Sequence, residues 1–136
     1  MSNNPGPYAL DDVRMIMSPD AVVTPKPVTD TFYQELDAEF SGFKGHLLVQ
    51  SGEFSEPWPT WEIHPHGDEL VYLLYGDADF VLWVDGEEQV VRLGTPGELV
   101  VVPCNTWHTA RPHAATKLLF VTPGEGTLNE ERPRSE

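Results

Sequence analysis

The sequence predicts an all-β protein built as one small sandwich or barrel. Eight segments of four to seven residues carry strand patterning and alternate with separators rich in Gly, Pro, Asp and Ser. Asp85-Gly86 stands between two of these segments and favours the type I′ turn of a tight hairpin. The 13 prolines and 11 glycines among 136 residues interrupt the backbone too often for long helices.

Taken in chain order, residues 1 to about 20 show no sustained period and contain Pro5, Gly6, Pro7 and Pro19. They read as an arm laid over the domain or over a neighbouring subunit. Pro25 and Pro27 limit residues 21–24 to an edge strand, because proline cannot donate to a ladder. Thr29-Asp30 followed by Phe32, Leu36 and Phe40 predicts one short capped helix with a single apolar stripe. From Gly45 onward the period changes to that of strands, expected at 46–50, 58–64, 69–75, 78–84, 88–93, 99–102, 107–111 and 117–122. Apolar residues fall on both faces of the segment 70–74, so that strand is expected to be covered on both sides. The polar residues 129–136 carry no strand pattern and read as a flexible tail. The expected organisation is an arm with a short helix over 1–40, a barrel over 41–126 and a tail over 127–136.

Charge narrows the function. With 22 acidic and 8 basic side chains the net charge is −14, which leaves too few Lys and Arg for a phosphate-binding stripe or an anionic membrane surface. The longest apolar run, Leu70 to Tyr75, is far short of the roughly 20 residues needed to span a bilayer. The first residues show neither the basic segment nor the apolar stretch of a secretory signal. Cys104 is the only cysteine, so neither an internal disulfide nor a cysteine-rich metal cluster is available. The expectation is a cytoplasmic protein with no nucleic-acid or membrane partner.

Two segments carry candidate chemistry, the first from Trp61 to Gly76 and the second from Gly97 to His108. Glu62 and His64 lie two apart on a strand and therefore share a face. With His64 opening a turn, Pro65 takes the position that its fixed φ suits and Gly67 the fourth, as in a type I turn. Glu69 then begins the returning strand, close enough to His64 to share one ion. His108 has to arrive from a strand more distant in sequence.

These two segments resemble the paired motifs of the cupin superfamily, small β-barrels of jelly-roll type. The usual first motif is Gly, five residues, His-x-His, three or four residues, Glu, six residues, Gly, and Glu69 with Gly76 reproduces its end. The usual second motif is Gly, five residues, Pro-x-Gly, two residues, His. Gly97, Pro103, Asn105 and His108 reproduce it with Asn in place of the second Gly, a mild exchange because Asn tolerates a left-handed backbone.

The first motif departs at its first His and admits two registers. If His64 and His66 form the pair, only two residues precede Glu69. If Glu62 and His64 form it, four residues do, as the family allows, and His66 falls in the turn. The turn argument favours the second register and the ligand set Glu62, His64, Glu69 and His108, with His66 as a pocket residue or alternative ligand.

The resemblance implies a single jelly-roll barrel (a double-stranded β-helix) holding one divalent transition metal, Fe, Mn, Zn or Ni. It implies a small-molecule substrate or ligand and pairing of two copies through the outer sheet. The family includes enzymes of several classes as well as non-catalytic binding modules. The expected function is a metal-dependent enzyme acting on a small oxygen-rich organic molecule; the alternative is a small-molecule binding or sensing module, with or without metal.

The remaining candidates have plainer readings. His46 is expected as a satisfied structural histidine, His113 and Asp68 as turn residues, and Cys104 as a small buried thiol. Trp58, Trp61, Phe80, Trp83, Trp107 and Phe120 are expected in the core or an interface, with one or two lining the cavity.

Overall fold

Alternation of inward and outward side chains sorts the chain into two facing antiparallel sheets in the computed structural model, which describes residues 4–134. The strands are β1 (Val13–Met17), β2 (Val23–Pro27), β3 (Leu47–Phe54), β4 (Trp61–Ile63), β5 (Glu69–Tyr75), β6 (Ala78–Val84), β7 (Glu87–Leu93), β8 (Leu99–Val102), β9 (His108–Pro112), β10 (Thr116–Thr122) and β11 (Leu128–Glu130). One sheet has the order β2-β1-β3-β10-β5-β8 and the other β11-β4-β9-β6-β7. The two do not close into a continuous ring, and the result is a jelly roll open at its mouth.

The strands expected at 69–75, 78–84 and 99–102 have those bounds, while β3 runs on to Phe54 and β4 is confined to Trp61–Ile63 of the expected 58–64. The Asp85-Gly86 turn has positive φ at both residues, 53° and 76°, as a type I′ turn requires. Two further segments differ from expectation. Within the expected arm, Val13–Met17 pairs with both β2 and β3 and so belongs to the sheet. Within the expected tail, Leu128–Glu130 pairs with β4. Residues 1–3 of the arm and 135–136 of the tail lie outside the described residues. The edge strand falls at Val23–Pro27, with Pro25 and Pro27 on the outermost strand as a missing donor demands.

The main core lies between the sheets, where Val71, Leu73, Phe80, Leu82, Leu93, Val100, Val102, Ala110 and Leu118 exclude water. A second cluster, Ile16, Leu48, Phe43, Phe32 and Leu36, seats the helix α1 (Phe32–Glu39) on the inner face of β1 and β3. The helix begins later than the Thr29-Asp30 cap predicted, with no side-chain cap of its own; Thr29 and Thr31 instead donate to Glu35. Lys26 on β2 ties it down by ion pairs to Glu35 (2.7 Å) and Glu39 (3.1 Å). Lys26 and the two threonines hold the Glu35 carboxyl down to about 2. Trp61, Ile63, Val81 and Trp107 form a third cluster on the far face of the second sheet.

The outer face of β5 is apolar but uncovered in the single chain: Leu70, Tyr72 and Leu74 are exposed, as are Leu99 and Val101 of the neighbouring β8. No helix among the described residues is long and apolar enough to cross a membrane.

Candidate metal centre

Strand geometry brings four candidate side chains together at the inner end of the mouth. Glu62 is paired with His108 across β4 and β9, so their side chains stand next to each other on the inner face. His64 follows two residues after Glu62 on the same side. Glu69, the first residue of β5, faces them from the opposite sheet. Its Oε1 lies 3.2 Å from His108 Nε2 and 3.4 Å from His64 Nε2. Glu62 Oε1 lies 3.8 Å and 3.7 Å from the same two nitrogens. Atoms bound to one ion through bonds of about 2.1 Å sit about 3–3.5 Å apart, so these separations need only a small contraction.

The hydrogen bonds behind the cluster fix which atoms face it. His108 Nδ1 lies 3.0 Å from the Thr106 carbonyl, which can only accept, so Nδ1 carries a proton. His64 Nδ1 lies 2.8 Å from Thr127 Oγ1, whose own hydrogen goes to the Gly124 carbonyl at 2.9 Å. His64 Nδ1 is therefore a donor as well. Thr122 Oγ1 donates to Glu69 Oε2 at 2.6 Å, leaving Oε1 aimed at the histidines. With neutral imidazoles, three lone pairs point at one another. His64 Nε2, Glu69 Oε1 and His108 Nε2 are all buried without a hydrogen-bond partner. Orphaned acceptors of this kind carry a cost that only a proton or a cation removes. Among the described residues, Glu62, His64 and His108 form a group whose ligand atoms all lie within 4.8 Å of one another, close enough to hold one metal ion.

Electrostatics in the ion-free protein follow the same contacts. Burial pushes Glu69 upward, but the His108 and His64 imidazoles outweigh it and hold the carboxyl down to about 2. Burial pushes His108 downward, and the Glu69 carboxylate more than reverses this, so that His108 is raised. Burial raises Glu62.

The loops that carry the candidate residues are pinned together. Cys104 N–H donates to Asp68 Oδ1 at 2.7 Å, Asn105 N–H to the His64 carbonyl at 2.9 Å, and Cys104 Sγ to the Pro65 carbonyl at 3.2 Å. Asp68 thus joins the two motif turns, a role its reading as a simple turn residue missed. Asn105 has φ 62°, the left-handed conformation that its exchange for Gly requires. Gly67 packs against Pro123, where an added Cβ would come within 2.9 Å.

The other candidates lie elsewhere. His66 is half exposed on the turn, its Nε2 4.0 Å from Glu125, and does not join the cluster. His46 packs edge-on against Phe40 and tilted against Phe43, and its Nδ1 lies 2.8 Å from the Lys44 carbonyl, a structural histidine as expected. His113 pairs with Asp79 at the surface. Cys104 is exposed, not buried as expected, because the turn that carries it projects beyond the sheet.

A cavity of about 690 Å³ is lined by Glu62, His64 and Glu69, with His108 fully buried behind them. Trp58 and Phe120 form part of its wall, Gln50 and Thr122 a polar strip, and Arg14 with Tyr33, Leu36 and Asp37 its N-terminal side. Sequence reasoning missed Arg14, Gln50, Thr122 and Thr127, which have no motif spacing to reveal them.

With this geometry in place, the chain belongs to the cupin domain family, whose model matches residues 45–122. No curated protein matches. Similar solved structures include a cupin-2 domain containing protein from Shewanella frigidimarina, at 19% identity and TM-score 0.48 over 57% of this chain and 70% of that one. Peruvianin-I, described as a cysteine peptidase from Thevetia peruviana latex, aligns at 20% identity and TM-score 0.51 over 60% of this chain and 54% of that one. An oxalate oxidase aligns at 16% identity and TM-score 0.50 over 60% of this chain and 45% of that one. The chain thus spans about half the length of the last two, and likeness at this level shows the fold alone.

Proposed function

We propose that this cupin is a metal-dependent enzyme acting on a small oxygen-rich organic molecule, with one divalent transition ion held by Glu62, His64, Glu69 and His108. The observation that carries the reading is the set of three buried, partnerless acceptors, two of them 3.2 and 3.4 Å from Glu69 Oε1, at the inner end of a cavity of substrate size. Two imidazoles and two carboxylates suit Fe, Mn, Ni or Zn and do not choose among them. When bound, such an ion supplies Lewis-acid polarisation of substrate oxygens at the coordination positions left open by four protein ligands.

The chain's own residues do the rest. Thr106 and Thr127 keep both imidazoles in the tautomer whose Nε2 lone pair faces inward. Thr122 orients the Glu69 carboxylate. Trp58 and Phe120 give the cavity an apolar wall that limits water around a bound molecule. The proposed setting is cytoplasmic, in keeping with a single exposed thiol and no disulfide. The proposed partners are a small molecule and a second copy of this chain, not nucleic acid.

Elemental analysis of protein purified without chelators, followed by stripping and stoichiometric reloading, tests the reading. One ion per chain is expected, with loss of binding in His64→Ala and His108→Ala. Absence of a bound ion in the wild type before and after reloading would overturn it. Retention of metal with no turnover on any oxygen-rich substrate would move the protein to the binding-module alternative.

A further inference from the structure

Among the described residues, Arg14 is the only Lys or Arg lining the cavity. It lies on β1, two residues before the core residue Ile16, and therefore on the same inward face. In a chain with 22 acidic residues, Lys26, Arg92, Arg111, Lys117 and Arg134 each pair with a carboxylate. Among the described residues Arg14 pairs with none, and neither do the exposed Lys44 and Arg132, but only Arg14 of these three lines the cavity. Its Nη1 donates to the Tyr33 hydroxyl at 3.4 Å, and that hydroxyl donates to Gln50 Oε1 at 3.2 Å. Its Nε is buried without a hydrogen-bond partner. The guanidinium is seated 4.6 Å from the centroid of the Phe32 ring, which fixes its plane and leaves its edge for hydrogen bonding.

A buried guanidinium N–H with no acceptor costs free energy, and a planar two-oxygen anion is the acceptor that its fork geometry matches. We infer that Arg14 is the anion-recognising residue of the cavity, holding the carboxylate of a small organic acid whose remaining oxygens face Glu62, His64, Glu69 and His108. This deepens the proposed function by naming the substrate class, and it rests on that reading for the far end of the molecule.

The sheet sets the scale. Three strand spacings, through β10 and β3, separate β5, which carries Glu69, from β1, about 14 Å across a flat sheet. Arg14 reaches inward from one side and an ion on the cluster from the other, so the gap suits an acid of roughly three to six carbons. Charge agrees with this arrangement. A divalent ion offsets Glu62 and Glu69, and Asp37, the remaining carboxylate of the lining, is exposed on α1 and forms no ion pair with Arg14.

The experiment uses the ion-loaded protein and a series of ω-hydroxycarboxylates from three to six carbons, each with its matching primary amide, titrated by calorimetry. Ion content and ion affinity are measured first in wild type, Arg14→Met and Arg14→Lys, and the titrations are repeated on ion-free protein. At least one length is expected to bind about tenfold or more tightly as the carboxylate than as the amide. That preference should vanish in Arg14→Met and partly survive in Arg14→Lys, with ion affinity equal in all three. Equal binding of acid and amide throughout the wild-type series, or a preference that persists in Arg14→Met, overturns the inference. The acid-to-amide ratio in ion-free wild-type protein, where no ion competes for the carboxylate, needs no variant, so poor folding of Arg14→Met leaves it decisive. Failure to hold an ion sinks the metal reading alone, because the acid-to-amide ratio in ion-free protein still reports on Arg14.

Discussion

At the scale of single residues, the centre depends on side chains that never touch the ion site directly. Thr127→Val removes the acceptor for His64 Nδ1–H and should weaken ion affinity about 10–100-fold with little change in melting temperature, measured by competition with a chromogenic chelator. Proton and ion compete for the same lone pairs. His108 is raised in the ion-free fold, so it contributes stability that is fully present below about 6.5 and is lost as pH rises through its folded value. Glu69, held down to about 2, contributes stability present above about 4.5 and lost as pH falls toward 2. Ion-free protein should therefore melt highest between about pH 4.5 and 6.5, and added ion should restore melting temperature at pH 8, both read by calorimetric scans. Glu62, His64 and Glu69 could be placed near one another from the sequence because period-two spacing and turn chemistry are local, whereas His108 entered only through the resemblance of its segment to the second family motif. Thr122, Thr127 and Arg14 were not, since a hydroxyl or guanidinium acquires its role only from partners far along the chain.

At the scale of elements, backbone conformation makes the turns specific. Gly76 has φ 103°, and a Cβ there would lie 2.5 Å from the Ala115 carbonyl oxygen and from Thr116 Cα. Gly76→Ala should cost about 3 kcal/mol, read from denaturant melts, because both strain and a backbone clash oppose it. Asn105→Gly should stay within about 0.5 kcal/mol, whereas Asn105→Val should cost about 1–2 kcal/mol at the same left-handed position. Strands β5, β6 and β8 fell at the residues predicted, since alternation and flanking turn residues mark both ends of each. Strand β1 escaped because Val13-Arg14-Met15-Ile16-Met17 places an arginine on its inward face and apolar residues on its outward one. Strand β11 escaped because three residues are too few to show a period.

At the scale of the whole molecule, register aligns Met15, Val49, Val121, Leu70 and Val101 in one apolar row across the outer face of the larger sheet. Leu119, Tyr72 and Leu99 form a second row beside it. An uncovered apolar surface of this breadth is the proposed seat of a second copy. Sedimentation should give twice the 15.2 kDa chain mass for wild type and the single mass for Leu70→Glu with Val101→Glu, at unchanged circular dichroism. The strand pattern marks 70–74 as apolar on both faces, and the fold buries Val71 and Leu73 while leaving Leu70, Tyr72 and Leu74 exposed on the face proposed for the second copy.

The four-residue cluster draws Glu69 from the larger sheet and Glu62, His64 and His108 from or beside strands of the smaller one. An ion bound there is a rivet through both layers, and neither layer can peel away without breaking its coordination. Slow amide exchange would then be shared by β4, β5 and β9 as one unit, even though β5 has no backbone bond to the other two. With such an ion bound, the mouth would be fastened at its inner end and its breathing confined to the rim that α1 and β1 contribute.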